Sequence, residues 1–259
     1  GLEKLRRWSL YVHGGIDGYS RTAVYLICAP NKTAATVFDG FWKSTKQYGI
    51  PSRVRSDYGK ENVDVAAFMI ATRGDHRGSF IAGKSVHNQR IERLHQDTYR
   101  NCIQHFHKLF YQMEQDGILN PSNAADIFCL HYVFLPRINE ALQIFREGWN
   151  EHPLSTESSN TPKQLWMKSV LAIENANNTA IKDILDPQLV DYSMYGIEPT
   201  SDELLSCQSD ENEDLEIKDM LGNKLILSDH NMQILCENIN PLGLTSDYGV
   251  DLYLTTCRL

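Results

Sequence analysis

The sequence lacks paired cysteines, long apolar runs and the segments that direct a chain out of the cell. Its six cysteines stand singly, with no CxxC pair, so their spacing indicates neither a disulfide framework nor a structural zinc site. No apolar run approaches the roughly eighteen residues that a membrane helix requires. The first residues, GLEKLRRWSLYVHGG, do not follow the order of a signal peptide. These absences predict a protein that works away from membranes, in a reducing compartment such as the nucleus or the cytosol.

The length of the chain sets how much structure it can support. With 259 residues, of which 42% are hydrophobic, it can bury a substantial core and form one large domain with an appendage. We find no internal repeat. The chain does not begin with methionine, so we expect a fragment or an excised domain.

Charge is distributed unevenly along the chain. The net charge of −8, taken alone, argues against binding to nucleic acid. Residues 1–93, however, carry 15 Lys and Arg against 8 Asp and Glu, a net +7, whereas residues 170–259 carry 4 against 17, a net −13. A basic first half followed by an acidic extension is typical of a nucleic-acid-binding domain with a regulatory or solubilising tail.

The apolar and turn residues predict a mixed α/β order in the first 170 residues. Runs of β-branched and aromatic residues predict three strands, at 7–13, 22–29 and 52–57. Helical spacing of apolar residues predicts four helices, at 33–49, 61–72, 86–116 and 122–148. The turn cluster GGIDGYSR separates the first two strands, and a glycine-rich loop with a short strand follows the second helix. This order favours a mixed central sheet flanked by helices.

The composition changes after residue 170. Residues 171–216, which include SDELLSCQSDENEDLE, are acidic and contain little to bury, so we expect a partly disordered linker there. Residues 217–259 contain the short apolar runs MLGNKLILS, MQILCENI and VDLYLTT. These runs predict a small β module at the end of the chain.

Two acids stand where a metal site is expected. Asp57 ends the third predicted strand, and Glu92 lies 35 positions later in a helix that follows the glycine-rich loop. If the fold brings the two carboxylates together, they can bind Mg²⁺ or Mn²⁺, which prefer oxygen ligands. Such ions stabilise the entering and leaving oxygens when a phosphodiester is cleaved. Taken singly, Asp57 is better explained by a turn or helix cap, and Glu92 by a solvated helix position.

Basic and amide side chains surround Glu92. Asn88 lies one helical turn before it, Arg90 and Arg93 lie on adjoining faces, and Lys84 precedes them in the loop. We predict that Lys84, Asn88, Arg90 and Arg93 bind the backbone of a nucleic acid; the alternative is a solvated basic face. The four tryptophans are expected to anchor the core and not to stack on bases.

Several stretches resemble one known family. SDYGKEN, HNQRIERLHQD and WNEHPLSTESSNTPKQLW, together with IDGYSR and the glycine loop, resemble the catalytic core of retroviral-type integrases and related transposases. The resemblance covers residues 1–170 and implies a ribonuclease H-like fold with a five-stranded mixed sheet. It also implies mobile-element ancestry, Mg²⁺ or Mn²⁺ as cofactor, DNA as partner and a homo-oligomer. The zinc-binding head of many integrases, HxxxH with CxxC, does not occur in this sequence.

The resemblance assigns roles to particular residues. Asp57 resembles the second catalytic Asp of the family, and Glu92 resembles its catalytic Glu. Gly74, Gly78 and Gly83 resemble the flexible loop beside the family's active site. These roles are implied by the resemblance and not by spacing alone.

The first catalytic Asp of the family has no clear counterpart in the sequence. IDGYSR offers Asp17, but the family places its first Asp on the strand that precedes this motif. We therefore expect that position at or just before Gly1, with Asp17 as the alternative. For Asp17 itself, the pair Asp-Gly also fits an ordinary turn.

The resemblance implies a reaction on DNA. A phosphodiester near the end of a mobile element is hydrolysed, and the freed 3′-hydroxyl then attacks target DNA. A chain without the first Asp could instead be an inactive, host-adopted core that binds DNA or a protein. A third alternative is a ribonuclease H-like nuclease that cleaves without joining.

Overall fold

The computed structural model describes residues 2–74, 77–83, 88–175 and 229–259. Its strands are β1 (Tyr11–Ile16), β2 (Ala23–Ala29), β3 (Val54–Ser56) and β4 (Phe80–Ala82). Its helices are α1 (Ala34–Tyr48), α2 (Val63–Arg73), α3 (Gln89–Thr98), α4 (Gln104–Gln115), α5 (Ala124–Glu151), α6 (Pro162–Asn175), α7 (Asp229–Asn238) and α8 (Val250–Arg258). A π-helical turn, Tyr99–Ile103, joins α3 to α4.

The strands pair in both directions, so the predicted mixed α/β class is confirmed. β1 and β2 are antiparallel, whereas β3 and β4 are parallel. In the described ranges these are two separate two-stranded sheets, and the predicted five-stranded sheet is wrong for them. Among the described residues, the second edge of β1 is met by Leu2, which pairs with Val12 before the chain turns into a short 3₁₀ helix at Arg6–Trp8.

The first strand lies later in the chain than predicted. It covers Tyr11–Ile16 and includes Gly14 and Gly15, which the sequence placed in the turn. A Cβ on Gly15 would lie 2.5 Å from Cε1 of Tyr25 on the paired strand, so only glycine lets that ring lie across β1. The two glycines therefore allow side chains of β2 to pack closely against β1. The turn between the strands begins at Asp17.

The predicted helices are confirmed. α1 begins after Thr33, whose hydroxyl accepts a hydrogen bond from the Thr36 N–H, and it ends at Gly49 with a φ of 76°. The predicted helix at 86–116 is present as α3, the π-helical turn and α4. α5 corresponds to the prediction at 122–148 and continues through Pro136.

α5 carries the centre of the larger hydrophobic core. Leu130, Phe134, Ile138 and Leu142 follow one another at helical spacing and are all 0% exposed. They belong to one buried cluster with Trp8, which the sequence predicted as a core anchor. Neither α5 nor any other described helix is long and apolar enough to cross a membrane.

Two asparagines of α5 cover the second edge of β2. The Asn139 side chain donates to the Cys28 carbonyl (3.0 Å) and accepts from the Cys28 N–H (2.8 Å). Asn150 does the same at Ala23, with distances of 3.1 and 2.8 Å. The eleven-residue separation along α5 from Asn139 to Asn150 and the five-residue separation along β2 from Ala23 to Cys28 both span about 17 Å. The two amides can therefore form their hydrogen bonds with the strand at the same time. The helix thereby satisfies backbone groups on an edge that would otherwise be open.

The predicted β module is wrong wherever its residues are described. Residues 232–239 lie in α7 and the turn after it, and residues 250–256 lie in α8, while MLGNKLILS lies outside the described residues. The buried positions show why the runs are helical. Leu235 and Ile239 are four residues apart, and Tyr253 and Thr256 are three apart, which is the spacing of one helix face. α8 packs against α5, where Tyr253 is fully buried.

Asn139 gives a test of the contact between α5 and β2. In the variant Asn139→Leu the Cys28 N–H and carbonyl lose their partners, so we expect the free energy of unfolding to fall by about 2–4 kcal/mol in urea titrations. The control Gln143→Leu, one turn along on the exposed face of α5, should change it by less than about 0.5 kcal/mol. Equal effects of the two substitutions would show that the paired amide does not hold the strand.

Candidate functional site

A cavity of about 840 Å³ lies where the end of β3, the start of α3 and the turn after β1 meet. Asp57 and Glu92 both line it, and so do Asn88, Arg90 and His95. The two acids come from different elements, 35 positions apart in the sequence. The fold thus brings both predicted acids to the wall of one cavity, together with an amide and a guanidinium.

Asp57 follows β3 directly and is half-buried. Its Oδ1 accepts one hydrogen bond from the Asn62 side chain, at 3.1 Å. Neither the 3₁₀ turn at Lys60–Asn62 nor α2 is capped by a side chain, so Asp57 does not act as a helix cap. Among the described residues, the carboxylate therefore keeps most of its oxygen lone pairs for another ligand.

Glu92 lies in the first turn of α3, with its side chain exposed at the cavity. Asn88 occupies the position before the helix, and its carbonyl accepts from the Glu92 N–H at 3.1 Å. The Asn88 side chain makes no capping hydrogen bond. The side chains of Glu92 and Arg90 form no hydrogen bond or ion pair with any residue in the described ranges, so both charged groups remain available there at the cavity.

Asp17 lines the same cavity but is engaged in its own turn. Its Oδ2 accepts from the Tyr19 N–H at 3.0 Å, the Ser20 N–H at 2.6 Å and the Ser20 hydroxyl at 2.8 Å. These three bonds close the turn between β1 and β2 and account for the Asp-Gly pair in the sequence. Asp17 therefore has a structural role here.

His95 was not predicted from the sequence. It lies one turn after Glu92 on α3, is 8% exposed, and lines the cavity. Its Nε2 is buried without a hydrogen-bond partner among the described residues, 3.9 Å from an ideal Cβ on Gly14. Burial lowers the pKa of His95 to about 4, an effect that the charge of Asp57 opposes only in part. The available signal was its spacing of three residues from Glu92 on one helix face.

The remaining predicted site residues are placed differently. Arg93 does not line this cavity; it lies in a neighbouring one and pairs with Asp97 at 2.8 Å. Gly74 and Gly78 have φ values of 90° and 64°, which glycine adopts readily. The Gly83 N–H donates to the Ser56 carbonyl beside Asp57. Lys84 lies outside the described residues.

The donor atoms at the cavity suit a hard divalent cation. Within the described ranges, no three side chains among the histidines, cysteines and acids are grouped so that they could hold a metal ion. Proteins commonly bind Mg²⁺ through only one or two carboxylates, with water and substrate phosphate completing the shell. Asp57 and Glu92, which line the same cavity, offer the oxygen donors that such an ion takes.

Comparison with known proteins identifies one family. A family model described as "Integrase core domain" matches residues 1–180, which is more than half of the chain. No curated protein and no solved structure matches the chain significantly. The matched region contains Asp57, Glu92 and every strand that the structure describes.

The buried imidazole of His95 predicts a pH dependence of stability. The pKa of His95 is about 4 in the folded chain, whereas an ordinary histidine has a pKa of 6.5. As the pH falls, His95 is therefore protonated in the unfolded chain before it is protonated in the folded chain. Stability should therefore fall as the pH drops below 6.5, with His95 accounting for about 1–2 kcal/mol by pH 5. Urea unfolding of His95→Gln should show a shallower decrease than that of the unsubstituted protein.

The control for this prediction is His152→Gln, which removes an exposed imidazole at the end of α5. It should keep the full decrease of stability between pH 6.5 and 5. Burial also lowers the pKa values of His13 and His131, and these two histidines act equally in every variant. If His95→Gln loses stability as steeply as the unsubstituted protein, the prediction is wrong.

Proposed function

Because the chain belongs to the integrase core domain family, we propose that it carries out DNA strand transfer. In this reaction a phosphodiester near a DNA end is hydrolysed, and the freed 3′-hydroxyl attacks a phosphodiester of target DNA. One observation carries the proposal: Asp57 and Glu92, from separate elements, line a single cavity. The family sets the class of reaction, and the cavity supplies residues that suit it.

We propose that Asp57 and Glu92 hold Mg²⁺ or Mn²⁺ at this cavity. Asp57 has one side-chain partner, Asn62, and Glu92 has none within the described ranges, so neither carboxylate is already neutralised by a base. A bound cation of this kind activates the attacking oxygen and stabilises the charge that develops on the leaving oxygen. The buried imidazole of His95 lines the same cavity as the two carboxylates.

Arg90 and Asn88 are proposed to hold the DNA backbone at the same cavity. The Arg90 guanidinium can donate two hydrogen bonds to one phosphate, and no described residue competes for it. The Asn88 amide can donate to a phosphate oxygen or accept from a water. These contacts would fix the position of the strand without reading its sequence.

The proposal extends to the finer fold and to the assembly. A ribonuclease H-like fold is supported by the order of an antiparallel pair, α1, a parallel pair and then helices. A homo-oligomer is supported by the family alone. DNA as substrate and a net charge of +7 over residues 1–93 support work in the nucleus.

The metal proposal predicts a loss of binding and of activity. In the full-length protein, Asp57→Asn and Glu92→Gln should each weaken Mn²⁺ binding by about tenfold or more, measured by calorimetry. Both variants should also lose joining of labelled DNA ends to a plasmid. The control Asp64→Asn removes the same charge from an exposed position that does not line the cavity, and should change neither. Unchanged Mn²⁺ binding by Glu92→Gln would refute its role as a ligand.

The DNA proposal predicts a change in salt dependence. Arg90→Gln should weaken binding to duplex DNA of any sequence and reduce the slope of log K against log salt by about 1. Lys108→Gln, on the exposed face of α4 and away from both cavities, is the matched control and should leave the slope unchanged. If Arg90→Gln behaves like the control, Arg90 does not contact phosphate. DNA binding by a protein that binds no Mn²⁺ would identify an inactive, DNA-binding core.

A further inference from the structure

A second cavity, of about 930 Å³, adjoins the first between α3 and the end of α5. Ile16, Gln89 and Arg90 line both cavities, so the two share a boundary. The function proposed above uses only the first cavity. A strand bound in the first cavity could continue into the second across this boundary.

Two aromatic rings form part of the wall of the second cavity. The ring centroids of Phe145 and Trp149 lie 6.1 Å apart, with 39° between their planes. Both residues are half-buried, unlike the fully buried Trp8. The Trp149 indole N–H donates to the Arg21 carbonyl at 3.0 Å, which fixes the orientation of the ring. The cavity thus offers aromatic surface that is held in place before any ligand arrives.

Gly148 lies between these rings in sequence and leaves space in the cavity. A glycine inside a helix costs about 1 kcal/mol relative to alanine. At this position an added Cβ would meet nothing within 4 Å, so no contact with the protein requires glycine there. A larger side chain at this position would extend into the open space of the cavity.

The polar groups of the cavity suit a strand with negative charges. Its lining contains three arginines and one aspartate. Arg93 pairs with that aspartate, Asp97, and Arg21 pairs with Glu157, so Arg90 is the arginine of this wall that has no acidic partner in the described ranges. Arg93, Asp97 and Asn101 follow Gln89 at intervals of four residues, which places them along one face of α3 and the π-helical turn. Amide and carboxylate groups along that face can bind the edges of bases, while Arg90 and Arg93 can bind phosphates.

We propose that the second cavity binds an unpaired nucleotide of single-stranded DNA, whose base contacts Phe145 and Trp149 and whose phosphates contact Arg90 and Arg93. A fixed aromatic surface beside arginines is the arrangement by which proteins bind single strands without sequence preference. The cavity shares its boundary with the proposed catalytic cavity, so this inference rests on the proposed function. The bound nucleotide is a neighbour of the phosphodiester that reacts.

The test compares a strand that has bases with one that lacks them. The full-length protein is titrated into fluorescein-labelled hexathymidylate, and into the same backbone with abasic sites, and anisotropy is recorded in a buffer with Ca²⁺. The protein should bind hexathymidylate about fivefold more tightly or better, since one stacked base contributes at least this much. Gly148→Leu, whose side chain fills the cavity, should bind the two strands equally.

The matched control is Gly148→Ala, which brings a similar gain in helix propensity but fills little of the cavity. It should keep the preference for bases, and both variants should unfold at the same temperature as the unsubstituted protein or above it. Trp149→Leu should also lose the preference while it keeps the weaker binding of the abasic strand. These results together would assign the base to this cavity.

Other outcomes separate this inference from the proposed function. If the protein binds both strands equally, or if Gly148→Leu keeps the preference for bases, the nucleotide subsite is wrong while phosphate binding at the first cavity stands. If the protein binds neither strand and also fails to bind duplex DNA, the proposed function itself is wrong.

Discussion

The match between α5 and the edge of β2 is the constraint on which the rest of the structure depends. Asn139 and Asn150 bond the same strand at two points whose spacing is equal along the helix and along the strand. The helix therefore cannot slide or rotate without leaving backbone groups of β2 unpaired, at a cost of about 1–3 kcal/mol for each group. The same helix carries the core on one face and ends beside the second cavity. Its fixed position consequently sets both the packing of the domain and the place of Trp149.

The candidate site depends on a second close approach, between α3 and β1. Gly15 carries no side chain, so the Tyr25 ring can lie across the strand, and the buried His95 of α3 lies beside Gly14. With α3 held there, Glu92 in its first turn reaches the cavity that Asp57 enters from the end of β3. As a result, Asp57 and Glu92 line one cavity with few side-chain partners among the described residues, next to Arg90, which pairs with no acid in those ranges. Such an arrangement favours a cation and a phosphate over a neutral ligand.

The C-terminal residues are part of the domain, although they lie far from it in sequence. α7 and α8 follow a long acidic stretch, yet Tyr253 is fully buried and its hydroxyl donates to the Ile118 carbonyl at 3.3 Å. The Tyr132 hydroxyl and the Arg137 guanidinium of α5 bond carbonyls of the segment after α7. The hydrophobicity of the short runs MQILCENI and VDLYLTT does not distinguish a strand from a helix, because buried strands and buried helices are both apolar. Packing on α5 resolved them as helices.

The sequence by itself determined the mixed α/β class, the bounds of α1 and α5 to within a few residues, and the basic first half, and it singled out Asp57 and Glu92, which line one cavity. These features follow from local rules: apolar spacing, capping residues, and charge along the chain. Only the tertiary structure decided that Gly14 and Gly15 belong to a strand, that Asp17 closes a turn, that His95 is buried beside Asp57, and that Arg93 faces another cavity. Each of these depends on which side chain lies opposite across the fold, and contacts between distant segments are not encoded in the spacing of near neighbours.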